Sequence, residues 1–241
     1  MSGDAVALSV VSHAQNWLVN QLLVDLAQFH PAGLSIIVTQ NVRDRDALNA
    51  RPGAELVVND LPLGFGANHN AAFRRCNAPC FCVVNPDVRL NMDPFPALVS
   101  ALRTPGNAGV AGPQVCDPDG RTEDSARRFP TITRLLRKLL PGAQGPDYPA
   151  AGGPFAVDWL AGMFMLFRSD AFRAVGGFDE RFFLYYEDVD ICRRLGLAGY
   201  GAAYVPEVTV IHEARRASRR NMRLMAIHAA SATRYLTRWY R

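Results

Sequence analysis

Short apolar runs alternate with stretches of helical period through the first half of the chain. Ala5–Val11 is continuous and apolar, and Trp17–Phe29 places Leu18, Leu22, Leu26 and Phe29 at helical spacing. Leu34–Thr39, Glu55–Val58 and Cys80–Val84 repeat the short run, and Gly64-Phe65-Gly66 opens a helix predicted to continue through Arg75. A period near 3.6 marks a helix with one buried face, whereas an unbroken run rich in β-branched residues marks a strand covered on both faces. The alternation predicts an α/β fold built on a mostly parallel sheet flanked by helices. Ligands of such sheets gather at the carboxyl ends of strands, which singles out Ser12–His13, Asn41, Asn59 and Asn85-Pro86-Asp87.

The second half has a different texture. Residues 117–155 are rich in Pro and Gly, with a basic stretch from Arg127 to Lys138, and predict a mobile loop near a substrate. Asp158–Arg168 predicts one long strand that enters a helix at Ser169. Glu187–Ala198 predicts a helix with Gly199 as its C-cap. Tyr204–Ile211 is strand-like but interrupted by Pro206. Asn221–Tyr240 predicts a C-terminal helix anchored by Met222, Met225, Tyr235, Leu236 and Trp239. Neither a repeat nor a boundary divides the chain. The expectation is one domain over 1–241, with halves at 1–115 and 116–213 and a basic helix at 214–241.

Composition narrows the classes. The 241 residues are enough for a sizeable core, and no apolar run is long enough to span a bilayer. Met-Ser-Gly-Asp lacks the positive region of a signal peptide, so a cytoplasmic protein is expected. The five cysteines match neither a disulfide framework nor zinc spacing. The net charge of +4 conceals an asymmetry, because residues 214–241 carry eight arginines and no acidic residue. Such a tail suits an anionic surface, and docking on the inner face of the cell membrane is one expectation; a solvated helix face is the plainer one. With no nucleic-acid motif alongside, a nucleic-acid partner is not expected.

The densest chemistry lies in 176–194, Gly-Gly-Phe-Asp-Glu-Arg-Phe-Phe-Leu-Tyr-Tyr-Glu-Asp-Val-Asp-Ile-Cys-Arg-Arg. Five acidic residues crowd five aromatic ones where a helix should begin. Carboxylates held against aromatic surface are desolvated, and desolvation makes them better bases. Acidic residues are equally favoured in the first turn of any helix, and Asp190 with Arg194 forms an ordinary i,i+4 pair. Phe182 and Phe183 are expected in the core; Tyr185 and Tyr186 are open between core and ligand-facing roles. Asp87, at a strand's carboxyl end, is suited to Mg²⁺ or Mn²⁺, and His212 follows another strand and is a second candidate ligand. Arg127 and Arg128 are candidates for clamping phosphate. Gly64–Asn70 is glycine-rich but is neither a dinucleotide fingerprint nor a P-loop. No nucleophile motif of the hydrolases is present.

In this order the pieces resemble family 2 glycosyltransferases of the GT-A fold, in particular the rhamnosyltransferase-like members of bacterial polysaccharide assembly. The resemblance rests on Val10-Val11-Ser12-His13, Asn41, Gly64-Phe65-Gly66 with Asn70, Asn85-Pro86-Asp87, Trp159-Leu160-Ala161-Gly162, the 176–190 block and His212. It implies a GT-A (Rossmann-like) fold, a nucleotide-sugar donor such as dTDP-rhamnose, a divalent metal, inversion at the anomeric carbon and a glycan or lipid-linked acceptor. It further implies Asp188 as general base with Glu187 before it, and Asp87 and His212 at the metal. Asn41 and Asn70 fall where donor contacts are expected, Gly66 and Asn85 are further substrate-binding candidates, and Trp159 and Gly162 fall on the strand that lines the acceptor and donor site. The resemblance makes 1–115 a nucleotide-sugar-binding half and 116–213 an acceptor and catalytic half. Two departures stand out: Asn85 replaces the first acid of the Asp-x-Asp pattern, and Leu63 stands where Asn commonly precedes Gly-Phe. A nucleotidyltransferase is disfavoured because residues 8–20 hold no Lys or Arg. A carbohydrate-binding or scaffold protein that has lost catalysis is the remaining alternative.

Overall fold

The computed structural model describes residues 4–29, 33–49, 53–103, 107–131, 133–134, 146–213 and 222–240. The tail arginines Arg215, Arg216, Arg219 and Arg220, and most of the basic stretch beyond Arg128, lie outside the described residues. Among those described, the first half alternates as its periodicity predicts. It runs β1 (Val6–His13), α1 (Asn16–Phe29), β2 (Leu34–Val42), β3 (Ala54–Val58), α2 (Phe65–Phe73), β4 (Cys80–Val84), β5 (Val88–Leu90), α3 (Phe95–Arg103) and β6 (Ala108–Cys116). The second half follows with β7 (Ala126–Arg127), β8 (Phe155–Val157), β9 (Trp159–Leu160), β10 (Phe164–Arg168), α4 (Ser169–Ala174), α5 (Glu187–Leu197), β11 (Gly201–His212) and α6 (Met222–Trp239).

One sheet organises the molecule, in the order β3-β2-β1-β4-β10-β6-β11-β5, with β8 added beside β11. Strands β3, β2, β1 and β4 pair in parallel, as do β6 and β11; β10 is antiparallel to both β4 and β6. Six strands therefore point one way, so the sheet is mostly parallel, as expected. Apolar side chains fill both faces. Leu22, Leu23 and Leu26 of α1 and Leu98 and Leu102 of α3 pack on one face. Phe172 of α4, Ile191 and Leu195 of α5, and Tyr235 of α6 belong to the opposite cluster with Phe81 and Phe167. Burial on both sides explains why these strands read as continuous apolar runs.

Four expectations are corrected. The strand anticipated over Asp158–Arg168 breaks at Ala161–Met163, between β9 and β10. Pro206 interrupts the pairing but not the strand: β11 runs through it, and the pairing with β6 jumps from Val205 to Thr209. The skipped residues place proline where no ladder bond to β6 is required of it. In α6, Met222 and Met225 are 77% and 50% exposed, so they anchor nothing among the described residues; Ser231 and Tyr235 are its buried positions. Phe182 is fully buried, but Phe183, also expected in the core, is 45% exposed.

Candidate active site

The site forms at the carboxyl ends of the co-directional strands. After β4 the chain turns through Asn85-Pro86-Asp87, and the Asn85 amide donates to the Met163 carbonyl at 2.9 Å. The turn after β4 is thereby tied to the break before β10. One residue back, the Gly162 amide donates to Asp188 Oδ2 at 2.9 Å. The interruption that sequence periodicity misses is what turns this amide toward the carboxylate. A short chain of backbone contacts thus links Asp87 to Asp188 across a hundred residues of sequence.

Strand pairing brings His212 to Asp87. β5 follows Asp87 directly and pairs antiparallel with the end of β11, with Val88 opposite His212. The Glu213 amide also donates to the Asp87 carbonyl at 2.9 Å. His212 Nε2 lies 3.4 Å from Asp87 Oδ1, and Nδ1 lies 2.7 Å from Glu123 Oε2. Burial lowers the affinity of His212 for a proton, but the carboxylates of Asp87 and Glu123 outweigh it and raise the pKa. Asp87 Oδ1 is buried and lacks a hydrogen bond. An orphaned carboxylate oxygen facing an imidazole whose other nitrogen is held by a second carboxylate fits a divalent cation. Among the described residues no group of three acidic, His or Cys side chains converges as a complete metal cage. Two protein ligands suit Mg²⁺ or Mn²⁺, which keep positions for water and substrate phosphate. Glu123 was not legible as a site residue, because an acid in a loop carries no signal of its partner.

Asp188 opens α5. Its Oδ1 accepts from the Val189 amide at 2.8 Å, its Oδ2 from Gly162, and part of its surface remains exposed. Burial raises its pKa; the two amides and the charge of Arg127 oppose the rise. Glu187 is 4% exposed, and its Oε2 has no partner. Burial first, and then the charge of Asp188, push its carboxyl well above the ordinary range. Burial is thus the leading cause of the raised pKa at both neighbours. Glu187 is buried in the fold beside Asp188, which remains partly exposed.

Just before this pair the backbone is strained. Tyr185 and Tyr186 both have φ of 69°, in the left-handed region. For residues with a Cβ this costs roughly 1–2 kcal/mol each. Helix α6 covers them. The Ser231 hydroxyl donates to the Leu184 carbonyl at 2.8 Å, and the His228 ring stands 5.1 Å from Tyr185 and 5.4 Å from Tyr186, centroid to centroid.

Several candidates turn out to be engaged within the protein. Asn70 donates to the Phe178 carbonyl at 2.9 Å and to Glu180 Oε1 at 3.0 Å, and accepts from the Phe178 amide at 2.9 Å. A Cβ on Gly66 would stand 2.7 Å from the Phe178 Cβ. Both residues thus clamp the 176–183 loop onto α2. Asn41 is similarly committed, donating to His13 Nδ1 and the Leu63 carbonyl and accepting from the Asn59 amide group and the Leu63 backbone. It fixes the loop leading to α2 through the backbone of Leu63, so the side chain at position 63 is immaterial to this contact. Trp159 is 7% exposed, donates from Nε1 to the Arg128 carbonyl at 3.0 Å, and lies under the Arg127 guanidinium at 5.3 Å. Arg127 is paired with Asp124 at 2.9 Å, and the Arg128 guanidinium lies over Tyr148 at 5.3 Å. Gly66→Ala should lower stability by ~1–3 kcal/mol, because Phe178 is buried and cannot yield without repacking. Urea unfolding checks this; a loss under 0.5 kcal/mol, about the size of an ordinary surface change, would remove the clamp.

A mostly parallel sheet with an acid-bearing turn at one strand end, linked by backbone contacts to a second carboxylate, is the architecture of the GT-A type. The chain belongs to glycosyltransferase family 2: it matches the family described as Glycosyltransferase like family 2 over residues 6–241. It is 30% identical over 236 residues to an N-acetylglucosaminyl-diphospho-decaprenol L-rhamnosyltransferase of Mycobacterium tuberculosis, covering 87% of this chain and 76% of that protein. It is 28% identical to rhamnosyltransferase WbbL of Escherichia coli, covering 97% and 93%. Among solved structures, GalNAc-T7 with UDP, GalNAc and Mn²⁺ superposes with a TM-score of 0.66 at 13% identity, over 88% of this chain but only 44% of that one. A mannosyltransferase of Pyrobaculum calidifontis in complex with GDP-Man and Mn²⁺ superposes at 0.59 and 18% identity, covering 95% and 64%. These two likenesses concern the fold. Among the described residues no helix is long and apolar enough to cross a membrane.

Proposed function

We propose that this chain is an inverting rhamnosyltransferase that moves L-rhamnose from a nucleoside diphosphate donor, dTDP-rhamnose, to a lipid-linked glycan acceptor. The observation that carries the reading is the contact path from the Asp87 turn through Met163 and Gly162 to Asp188. It joins a phosphate-side carboxylate to a candidate base at one sheet edge. The names borne by the two rhamnosyltransferase relatives supply the sugar, and the first of them the acceptor class. An acceptor on a lipid carrier is consistent with action at the inner face of the cell membrane.

In this mechanism Asp188 Oδ accepts the proton of the acceptor hydroxyl while that oxygen forms its bond to the anomeric carbon. The bond from the anomeric carbon to the diphosphate oxygen breaks on the opposite face, and its electron pair leaves with the nucleoside diphosphate. The Gly162 and Val189 amides hold the carboxylate in place. The charge of Arg127 favours its ionised form at the start of the reaction. Asp87 and His212 would hold Mg²⁺ or Mn²⁺, and such an ion supplies positive charge against the departing diphosphate.

Incubating the purified chain with dTDP-rhamnose, Mn²⁺ and an N-acetylglucosaminyl diphosphate on a short alkyl chain should yield the acceptor mass increased by one rhamnosyl unit. Absence of product with this and other nucleotide sugars would leave the scaffold alternative. Calorimetry should further show that Mn²⁺ tightens dTDP binding to the wild type and that Asp87→Ala abolishes the tightening. Equal affinity with and without the ion in both proteins would take Asp87 out of the metal site.

A further inference from the structure

We propose that Tyr185, Tyr186 and His228 form the platform on which the acceptor sugar lies, so that α6 supplies part of the acceptor site. The proposal rests on the transfer reading above and assigns a place to its second substrate. Its starting point is the strained pair. Two consecutive tyrosines with φ of 69° directly precede the helix that begins with Glu187 and Asp188. Strain of this kind persists only where the surrounding structure enforces it, and it concentrates at ligand sites. Here α6 enforces it, through Ser231 on the Leu184 carbonyl and Tyr235 against Tyr186 at 5.5 Å. The usual start of a helix is also missing: Tyr186 occupies the cap position without a side-chain hydrogen bond.

The exposed groups of this cluster are chemically suited to a sugar. Both tyrosines are half-buried and His228 is exposed. Tyrosine offers an apolar face for the C–H side of a pyranose and a hydroxyl that both donates and accepts. Among the described residues neither tyrosine hydroxyl nor the His228 ring has a hydrogen-bond partner. The rings of Tyr185 and Tyr186 both converge on His228, which makes a small aromatic cluster with polar tips. Tyr186 stands two residues before Asp188 at the start of α5, and its ring lies 5.4 Å from that of His228, which places the cluster beside the base.

Why the acceptor rather than the donor follows from the base. The hydroxyl that loses its proton must come within hydrogen-bond reach of Asp188. The donor diphosphate is assigned to Asp87 and His212, which are tied to β5 and β11. Tyr186 and His228 are tied instead to α6 and the chain entering α5.

Two variants test it. His228→Ala places a good helix former at an exposed helix position, and Tyr185→Asn removes the ring with a residue that tolerates the left-handed region. With dTDP-rhamnose and the alkyl N-acetylglucosaminyl diphosphate, each variant should raise the acceptor KM at least fivefold while the donor KM stays within twofold. A smaller rise in acceptor KM in both folded variants, or a donor KM that moves as far as the acceptor KM, overturns the platform and leaves the cluster as helix packing. Wild-type protein that transfers no sugar from any nucleotide donor overturns the transfer reading itself and the platform with it.

Discussion

Asp188→Asn should lower the rate of sugar transfer by ~10²–10⁴-fold, the usual contribution of a positioned general base. The amide keeps the shape of the carboxylate and an oxygen for the Gly162 or Val189 N–H, but it has no basic oxygen to receive a proton. Donor affinity should remain within a few-fold, because the diphosphate contacts are assigned elsewhere. A single-turnover measurement at saturating donor separates the two, and a variant retaining more than a tenth of the wild-type rate would reassign the base. The pH profile gives an independent check. Burial holds the Asp188 pKa above the ordinary value of an aspartate, and Arg127 works against that rise. Activity should therefore climb with pH as Asp188 ionises. In Arg127→Gln one opposing influence is gone, the pKa rises further, and the acidic limb moves to higher pH. A limb that stays put would mean that Arg127 does not reach the base in solution.

Asp190→Ala should be the most destabilising single change in the catalytic segment, by ~3–5 kcal/mol. The Asp190 side chain is 0% exposed and receives Arg194 Nε at 2.7 Å, Trp239 Nε1 at 3.1 Å and Arg238 at 3.2 Å. Removing it takes the counter-charge from Arg194, which is only 14% exposed and keeps its hydrogen bond to the Val175 carbonyl at 2.6 Å. It also leaves the indole N–H of α6 unpaired. Against a total stability of about 5–15 kcal/mol for ordinary domains, this endangers the fold. Arg238 loses less, because it also reaches Asp179 at 2.6 Å. The same carboxylate fastens α6 to α5, so partial undocking should expose Tyr235 as the variant unfolds. Urea unfolding gives the magnitude, and a loss below 1 kcal/mol would show that the arginines find other partners.

The i,i+4 pair of Asp190 and Arg194 could be read from spacing alone, but the contribution of Arg238 and Trp239 could not. Nothing local in α6 says which carboxylate it will meet about fifty positions away. The same asymmetry recurs at His212. Its place after a strand marked it as a candidate, whereas the role of Glu123 depends on the register of β6 against β11 and on the turn that follows. Asn41, Asn70 and Gly66 show the reverse case. Their residue types suggested ligand contacts, and the folded chain uses their amides and their missing side chain to hold loops. An asparagine that bonds to backbone and one that bonds to a ligand look alike in sequence, since both need the same donors and acceptors.

Local periodicity determined the alternation of strands and helices, the buried sheet and the crowding of acids at the start of α5, because each depends on neighbours within a few residues. Only the tertiary structure decided where the strand before β10 breaks, which amides grip Asp188, and that α6 closes over Tyr185 and Tyr186. Those outcomes depend on long-range pairing and on burial, which set both the partner and the proton affinity of a side chain and leave no trace in its immediate neighbours.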